Sequence, residues 1–319
     1  MIFGMAEAVK RMWTVVDIPD QSGRLAVVTG ATGGLGIETA QGLAEAGADV
    51  VLTGRNREKG RTAIDRIKRA VPGATVRFEM LDLASLKSVR GFAEKMLAQG
   101  KPLHLLINNA GVMAYKERRL TEDGFEAQFG TNHLGHFALT GLLLPLLKKA
   151  PGSKALGARV VNVSSLAHRG GKIDFDNLQA ERRYKAWPAY QQSKLANLLF
   201  TFELQRRSDA QSWGLMVNAA HPGYARTDLI PNGPGSGGLQ GLLGKVMAPV
   251  LSHSALDGAL PTLFAATSAD AKALGYYGPD GFYELKGPVA PAFVAAKAKD
   301  EVVARRLWEV SERLTGVAW

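Results

Sequence analysis

Three groups of residues in this 319-residue chain have types and spacing suited to chemistry. The first is Thr29-Gly30-Ala31-Thr32-Gly33-Gly34-Leu35-Gly36, which follows a short apolar run and leads into helical spacing. Glycines at such a junction let the backbone turn sharply and approach a pyrophosphate. The following helix adds free N–H groups and the positive end of its dipole. The second is Arg55, in Thr53-Gly54-Arg55-Asn56-Arg57. It offers a planar, permanently charged fork to a phosphate at a place where an acidic residue would hold a ribose 2′-hydroxyl. The third is Tyr190 and Lys194, four apart and so on one face of a helix. A free phenol has a pKa of about 10, and a neighbouring ammonium favours the phenolate and lowers that value. A dinucleotide that delivers a hydride and a phenol that delivers a proton together turn a carbonyl into an alcohol. Arg55, with no acidic neighbour, makes NADP(H) the expected cofactor.

Other chemistries are excluded by what the chain lacks. It has no cysteine, hence no disulfide, thiolate metal site or cysteine nucleophile. His133, His136, His168 and His221 stand at no metal-ligand spacing such as H-E-x-x-H, so no metal is expected. Ser164-Ser165 with a histidine nearby suggests a hydrolase, but the G-x-S-x-G elbow is missing.

The elements that must position these residues follow a regular rhythm. Residues 25–29, 49–53, 74–80, 103–107, 159–163 and 215–220 read as strands. Helical spacing fills 38–46 (stopped at Gly47), 57–71, 85–99, the long region 122–149, and 189–207. Repeated β-α units with continuous apolar strands predict a single α/β domain of Rossmann type. Its sheet is parallel and doubly wound, about seven strands wide, with helices on both faces. Residues 1–20 form a lead-in, and 292–319 one or two C-terminal helices. The Gly/Pro-rich stretch at 230–238 and the apolar stretch 239–251 fall in an expected substrate lid at 227–252.

The spacing of Gly30, Gly34 and Gly36 resembles the T-G-x-x-x-G-x-G element of the short-chain dehydrogenase/reductase family. Other elements of that family follow in order: Asn108-Asn109-Ala110-Gly111, Asn132 in T-N-H-L-G-H-F, Ser165 ending V-N-V-S-S, Tyr190-x-x-x-Lys194, and Pro222-Gly223 with Thr227. The resemblance covers about residues 24–290. V-N-V-S-S-L-A-H and S-K-L-A-N are similar to its retinol-dehydrogenase-like and protochlorophyllide-reductase-like branch. It implies a cofactor set of Gly30, Thr32, Gly33, Gly34, Leu35, Gly36, Arg55, Asp82, Leu83, Asn109, Ala110, Gly111, Pro222, Gly223 and Thr227. Tyr190 joins that set, and Lys194 holds the nicotinamide ribose. Ser165 orients the substrate carbonyl, Tyr190 is the general acid and base, and Asn132 supports a proton relay to Lys194. The branch implies lipophilic ketones or aldehydes as substrates. It also implies a homo-oligomer, a dimer or tetramer, paired through helices like 189–207. Reduction of a carbon–carbon double bond at the same site, or a low-turnover NADPH-binding regulator, remain as alternatives.

Composition bounds the rest. At 46% hydrophobic residues, the chain can bury a substantial core. The net charge of +10 comes from scattered basic residues with no tract interleaved with aromatics. This describes a surface that attracts anionic cofactors and not one that binds nucleic acid. No apolar run reaches the roughly 18–20 residues of a membrane span, and the cytoplasm is the expected compartment.

Overall fold

The computed structural model describes residues 12–150, 157–225 and 253–319. Thr227, the expected lid at 227–252 and residues 1–11 of the lead-in lie outside the described residues.

Seven short runs form the parallel part of one sheet: β1 (Leu25–Val28), β2 (Asp49–Gly54), β3 (Val76–Met80), β4 (Leu105–Asn108), β5 (Arg159–Val163), β6 (Met216–Ala220) and β7 (Tyr276–Pro279). β1, β4, β5 and β6 bury every residue. Strands covered on both faces select continuous apolar runs in place of alternation. The strand order is β3-β2-β1-β4-β5-β6-β7-β8. The chain winds outward from β1 to β3 and then crosses back to β4, which opens a crevice beyond the carboxyl ends of β1 and β4. To the expected parallel strands the structure adds β8 (Val289–Pro291), antiparallel to β7. Pro291 lacks an N–H and is tolerated at this edge position.

The helices are α1 (Gly34–Glu45), α2 (Arg57–Ala70), α3 (Leu86–Gln99), α4 (Ala127–Phe129), α5 (Gly135–Leu147), α6 (Ala186–Ala210), α7 (Ala255–Thr267) and α8 (Glu301–Thr315). Four of them depart from the sequence reading. α1 starts inside the glycine run because Gly34 and Gly36 belong to its first turn. The region 122–149 becomes helical only at Ala127, where the Glu126 side chain caps the amides of Gln128 and Phe129. It then passes through a π-helical turn, Gly130–Leu134, before α5. α6 starts at Ala186, since Pro188 fits a first turn whose N–H groups need no intrahelical partner. α7 and β7 were not anticipated: α7 carries Pro261 inside it, and Tyr-Tyr-Gly-Pro reads as a turn.

The core lies in two layers flanking the sheet and a third cluster beneath the C-terminal region. α8 closes the molecule with an aromatic lock. The Trp308 ring lies 5.0 Å from Phe137 and 4.5 Å from Trp319, with the Arg207 guanidinium 4.2 Å above it. α6 is buried at every residue from Gln192 to Gln205. Among the described residues, no helix is long and apolar enough to cross a membrane.

Trp308 is 2% exposed. Trp308→Ala is expected to lower the unfolding free energy by about 3–5 kcal/mol, measured by chemical denaturation.

Candidate active site

The site is assembled at the switch between β1 and β4, and Thr29 is its junction. The Thr29 hydroxyl oxygen accepts from the amides of Asn109 and Ala110, both at 2.9 Å. Asn109 Nδ2 donates back to the Thr29 carbonyl at 2.8 Å. The glycine loop and the loop after β4 are thus stapled together. A Cβ on Gly30 would stand 2.9 Å from that of Ala110, and one on Gly36 would lie 2.7 Å from Asn109 Nδ2. Only glycine permits this approach at either position. Gly30 and Gly34 also take left-handed backbone, at φ +66° and +53°.

From Thr29 a chain of hydrogen bonds runs inward. His136 is buried and its pKa falls to about 4 through that burial, so the ring is neutral. Its Nδ1 lies 3.0 Å from the Asn132 carbonyl, an acceptor, and must carry the proton. Nε2, 2.8 Å from Thr29 Oγ1, is then the acceptor for the threonine hydroxyl. Asn132 sits in the π-helical turn, a feature frequent at functional sites. Its Nδ2 donates to the Val112 carbonyl at 2.9 Å and to Ser193 Oγ at 3.0 Å, while Oδ1 accepts from the Val112 amide at 2.7 Å. Its side chain thus joins the loop after β4 to α6.

β5 and α6 bring Ser165, Tyr190 and Lys194 together. Lys194 Nζ donates to the Val163 carbonyl at 3.1 Å and stands 5.7 Å from the centre of the Tyr190 ring. Ser165 caps a short turn, Leu166–Gly170, and its hydroxyl is a hydrogen-bond partner of Tyr190. Ser164, its neighbour, is buried and donates to the Lys194 main-chain carbonyl at 2.7 Å. Burial lowers Lys194 to about 8. It also pushes Tyr190 up to about 12, against the opposing hydrogen bond from Ser165. The shift runs opposite to the lowering expected from a neighbouring ammonium, because desolvation is its largest cause.

Residues 30 and 32–36, Arg55, Asp82, Leu83 and 109–111 all line one groove of about 530 Å³. Its inner end adjoins Lys194, because a Cβ on Gly111 would lie 3.4 Å from Lys194 Nζ. Pro222 and Gly223 follow β6 and are not among the lining residues of the groove; Gly223 abuts the Leu285 carbonyl, while Pro222 and the groove residue Leu35 both meet the Gly258 position of α7. Lys59, Tyr115 and Arg119 also line the groove and were missed. Lys59 carried a legible signal, since it follows Arg55 by four residues at the start of a helix. Close-packed glycines, exposed amides and an unhindered cation at the rim fit a dinucleotide along this groove. The remaining histidines are tied internally, His133 to Ser311 Oγ at 2.9 Å and His168 Nδ1 to the Ser165 carbonyl at 2.7 Å.

This constellation defines a nucleotide-dependent oxidoreductase site on a doubly wound sheet. The short chain dehydrogenase family matches residues 24–233, and the chain belongs to that family, in its retinol-dehydrogenase-like branch. It is 43% identical over 308 residues to human (Homo sapiens) retinol dehydrogenase 12, covering 96% of this chain and 90% of that protein. With mouse (Mus musculus) polyprenol dehydrogenase it shares 41% over 299 residues, covering 94% and 86%. An uncharacterised protein from Mycobacterium paratuberculosis, solved by crystallography, superimposes with a TM-score of 0.78 at 41% identity, covering 96% and 98%. A Shigella flexneri short chain dehydrogenase complexed with NADP does so at 0.62 and 25%, covering 82% and 97%.

Thr29→Val would strand the amides of Asn109 and Ala110, each at a cost of about 1–3 kcal/mol. It is expected to lower stability by chemical denaturation, and Thr29→Ser to restore it.

Proposed function

We propose that the chain is an NADP(H)-dependent oxidoreductase that interconverts an apolar aldehyde or ketone and its alcohol, with Tyr190 as general acid and base. The observation that carries this reading is the Ser165–Tyr190–Lys194 set at the inner end of the glycine-floored groove. The reduced cofactor, when bound, supplies the hydride to the carbonyl carbon. The oxygen that gains this charge becomes an alkoxide, more basic than a phenolate, and takes the Tyr190 proton. A tyrosine held at about 12 is loaded with that proton across the neutral range. Ser165 donates a second hydrogen bond to the same oxygen and orients it. Lys194 balances the phenolate left behind, and the hydrogen bonds of Asn132 hold the facing loop in place.

Two cations support NADP(H) over NAD(H). Arg55 follows the last residue of β2, and Lys59, about one helical turn on, lines the same groove. Together they suit a dianionic 2′-phosphate better than a hydroxyl. Support for an apolar substrate comes from Trp187, 44% exposed with its ring 5.4 Å from that of Tyr190. It comes also from the relatives named for retinol and polyprenol, both apolar alcohols.

Reduced-cofactor consumption over a panel of lipophilic aldehydes and ketones tests the reading. Tyr190→Phe is expected to lower kcat by about 10²–10⁴-fold while retaining NADPH binding. Turnover in that variant equal to wild type would remove the proposed proton donor. For the wild type, kcat/KM for reduction is expected to fall as pH rises through about 8, where Lys194 loses its charge. Arg55→Asp should weaken NADPH and spare NADH. A rate with NADH already exceeding that with NADPH in the wild type would reverse the cofactor assignment.

A further inference from the structure

The tip of the β7–β8 hairpin lies against the loop that follows β6. The Leu285 carbonyl accepts from the Tyr224 amide at 2.8 Å, and any side chain on Gly223 would run into that carbonyl. The tip reaches this place through an uncommon backbone. Tyr283 and Glu284 are both left-handed, at φ +50° and +59°, a conformation that residues with a Cβ seldom adopt. The Glu284 carboxylate is what anchors them. Oε2 accepts from His221 Nε2 at 3.0 Å and from Arg169 Nη2 at 2.7 Å, and Oε1 accepts from the Phe293 amide at 3.0 Å.

The protonation states follow from the partners. His221 Nδ1 accepts from the Gly223 amide at 3.1 Å, so the ring proton sits on Nε2 and points at Glu284. Burial lowers the His221 pKa and keeps the ring neutral. Burial alone would raise Glu284, but the bonds from His221 and Phe293 and the Arg169 charge outweigh it and hold the carboxyl below its ordinary value. Arg169 therefore balances the charge, and His221 supplies direction. The three donors come from three segments that meet nowhere else in the sequence. Arg169 lies in the turn capped by Ser165, His221 immediately precedes Pro222-Gly223, and Phe293 leads toward α8.

We propose that Glu284 is a positioning residue that holds the Ser165 turn and the Pro222-Gly223 loop in register, so that the loop receives the nicotinamide half of the dinucleotide beside Tyr190. The proposal rests on the dinucleotide reading of the groove. Glu284 touches no reacting atom and acts through His221 and Arg169. Arg55, which would hold the adenosine half, follows β2 on the other side of the switch point and takes no part in these contacts.

The test compares affinities for NADPH and for 2′-AMP, which carries the adenosine half alone. They are measured on wild type, Glu284→Gln, Arg169→Gln and Tyr283→Gly, with NADPH fluorescence as the signal and 2′-AMP in competition. Glu284→Gln is expected to weaken NADPH about tenfold, as loss of a charge-assisted bond would, and to leave 2′-AMP unchanged. Arg169→Gln should act in the same direction by a smaller factor, and it decides the matter if Glu284→Gln fails to fold. Tyr283→Gly relieves the left-handed backbone while keeping the carboxylate, and should bind both ligands like wild type. Equal losses for the two ligands would mark a merely structural role and overturn the proposal, as would unchanged NADPH affinity in both charge variants. A wild-type protein that binds neither ligand would overturn the dinucleotide reading itself, and the clasp with it.

Discussion

The Thr29 hydroxyl joins the two halves of the site. A doubly wound parallel sheet leaves a gap where its winding reverses, and the loops leaving β1 and β4 must approach closely there without fusing the crevice shut. One oxygen accepts two amides of the β4 loop, and its proton goes to His136, so the Thr29 hydroxyl is fully paired. The glycines serve the same approach, because a Cβ at Gly30 or Gly36 would push the loops apart. His136 and Asn132 carry the constraint to Ser193 and so to the helix bearing Tyr190 and Lys194. The glycine loop and α6 are parts of one hydrogen-bonded frame.

Burial sets the electrostatic character of that frame more than charge pairing does. His133, His136 and His168 are driven to about 3, 4 and 4, and each acts as a neutral hydrogen-bonding group. Lys194 and Tyr190 are displaced in opposite directions by the same desolvation. At Tyr190 this desolvation favours the protonated phenol. The Arg169–Glu284 ion pair joins the turn capped by Ser165 to the tip of the β7–β8 hairpin.

The elements that fall outside the β-α rhythm complete the scaffold. α8 and Trp319 roof the cluster of Phe137, Phe200 and Trp308 beside α5 and α6. The β7–β8 hairpin, an antiparallel addition to a parallel sheet, turns its tip onto the loop after β6. Both come from the last part of the chain.

Much of the site was legible in the residues because its chemistry is local. Glycine spacing, the absence of an acid beside Arg55, and the i, i+4 placement of Tyr190 and Lys194 each follow from backbone geometry over a few residues. Strands β1 to β6 were legible for the same reason, as short apolar runs bounded by turns. The start of α4, the π-helical turn, α7 and β7 were not, since each depends on a distant partner or contains a proline or glycine that reads as a break. The sequence by itself determined which side chains were available and the order of the elements that carry them. The tertiary structure alone decided their protonation, the place of Tyr115 and Arg119 along the groove and the contacts of Glu284. Desolvation and long-range hydrogen bonds exist only once distant segments have packed together.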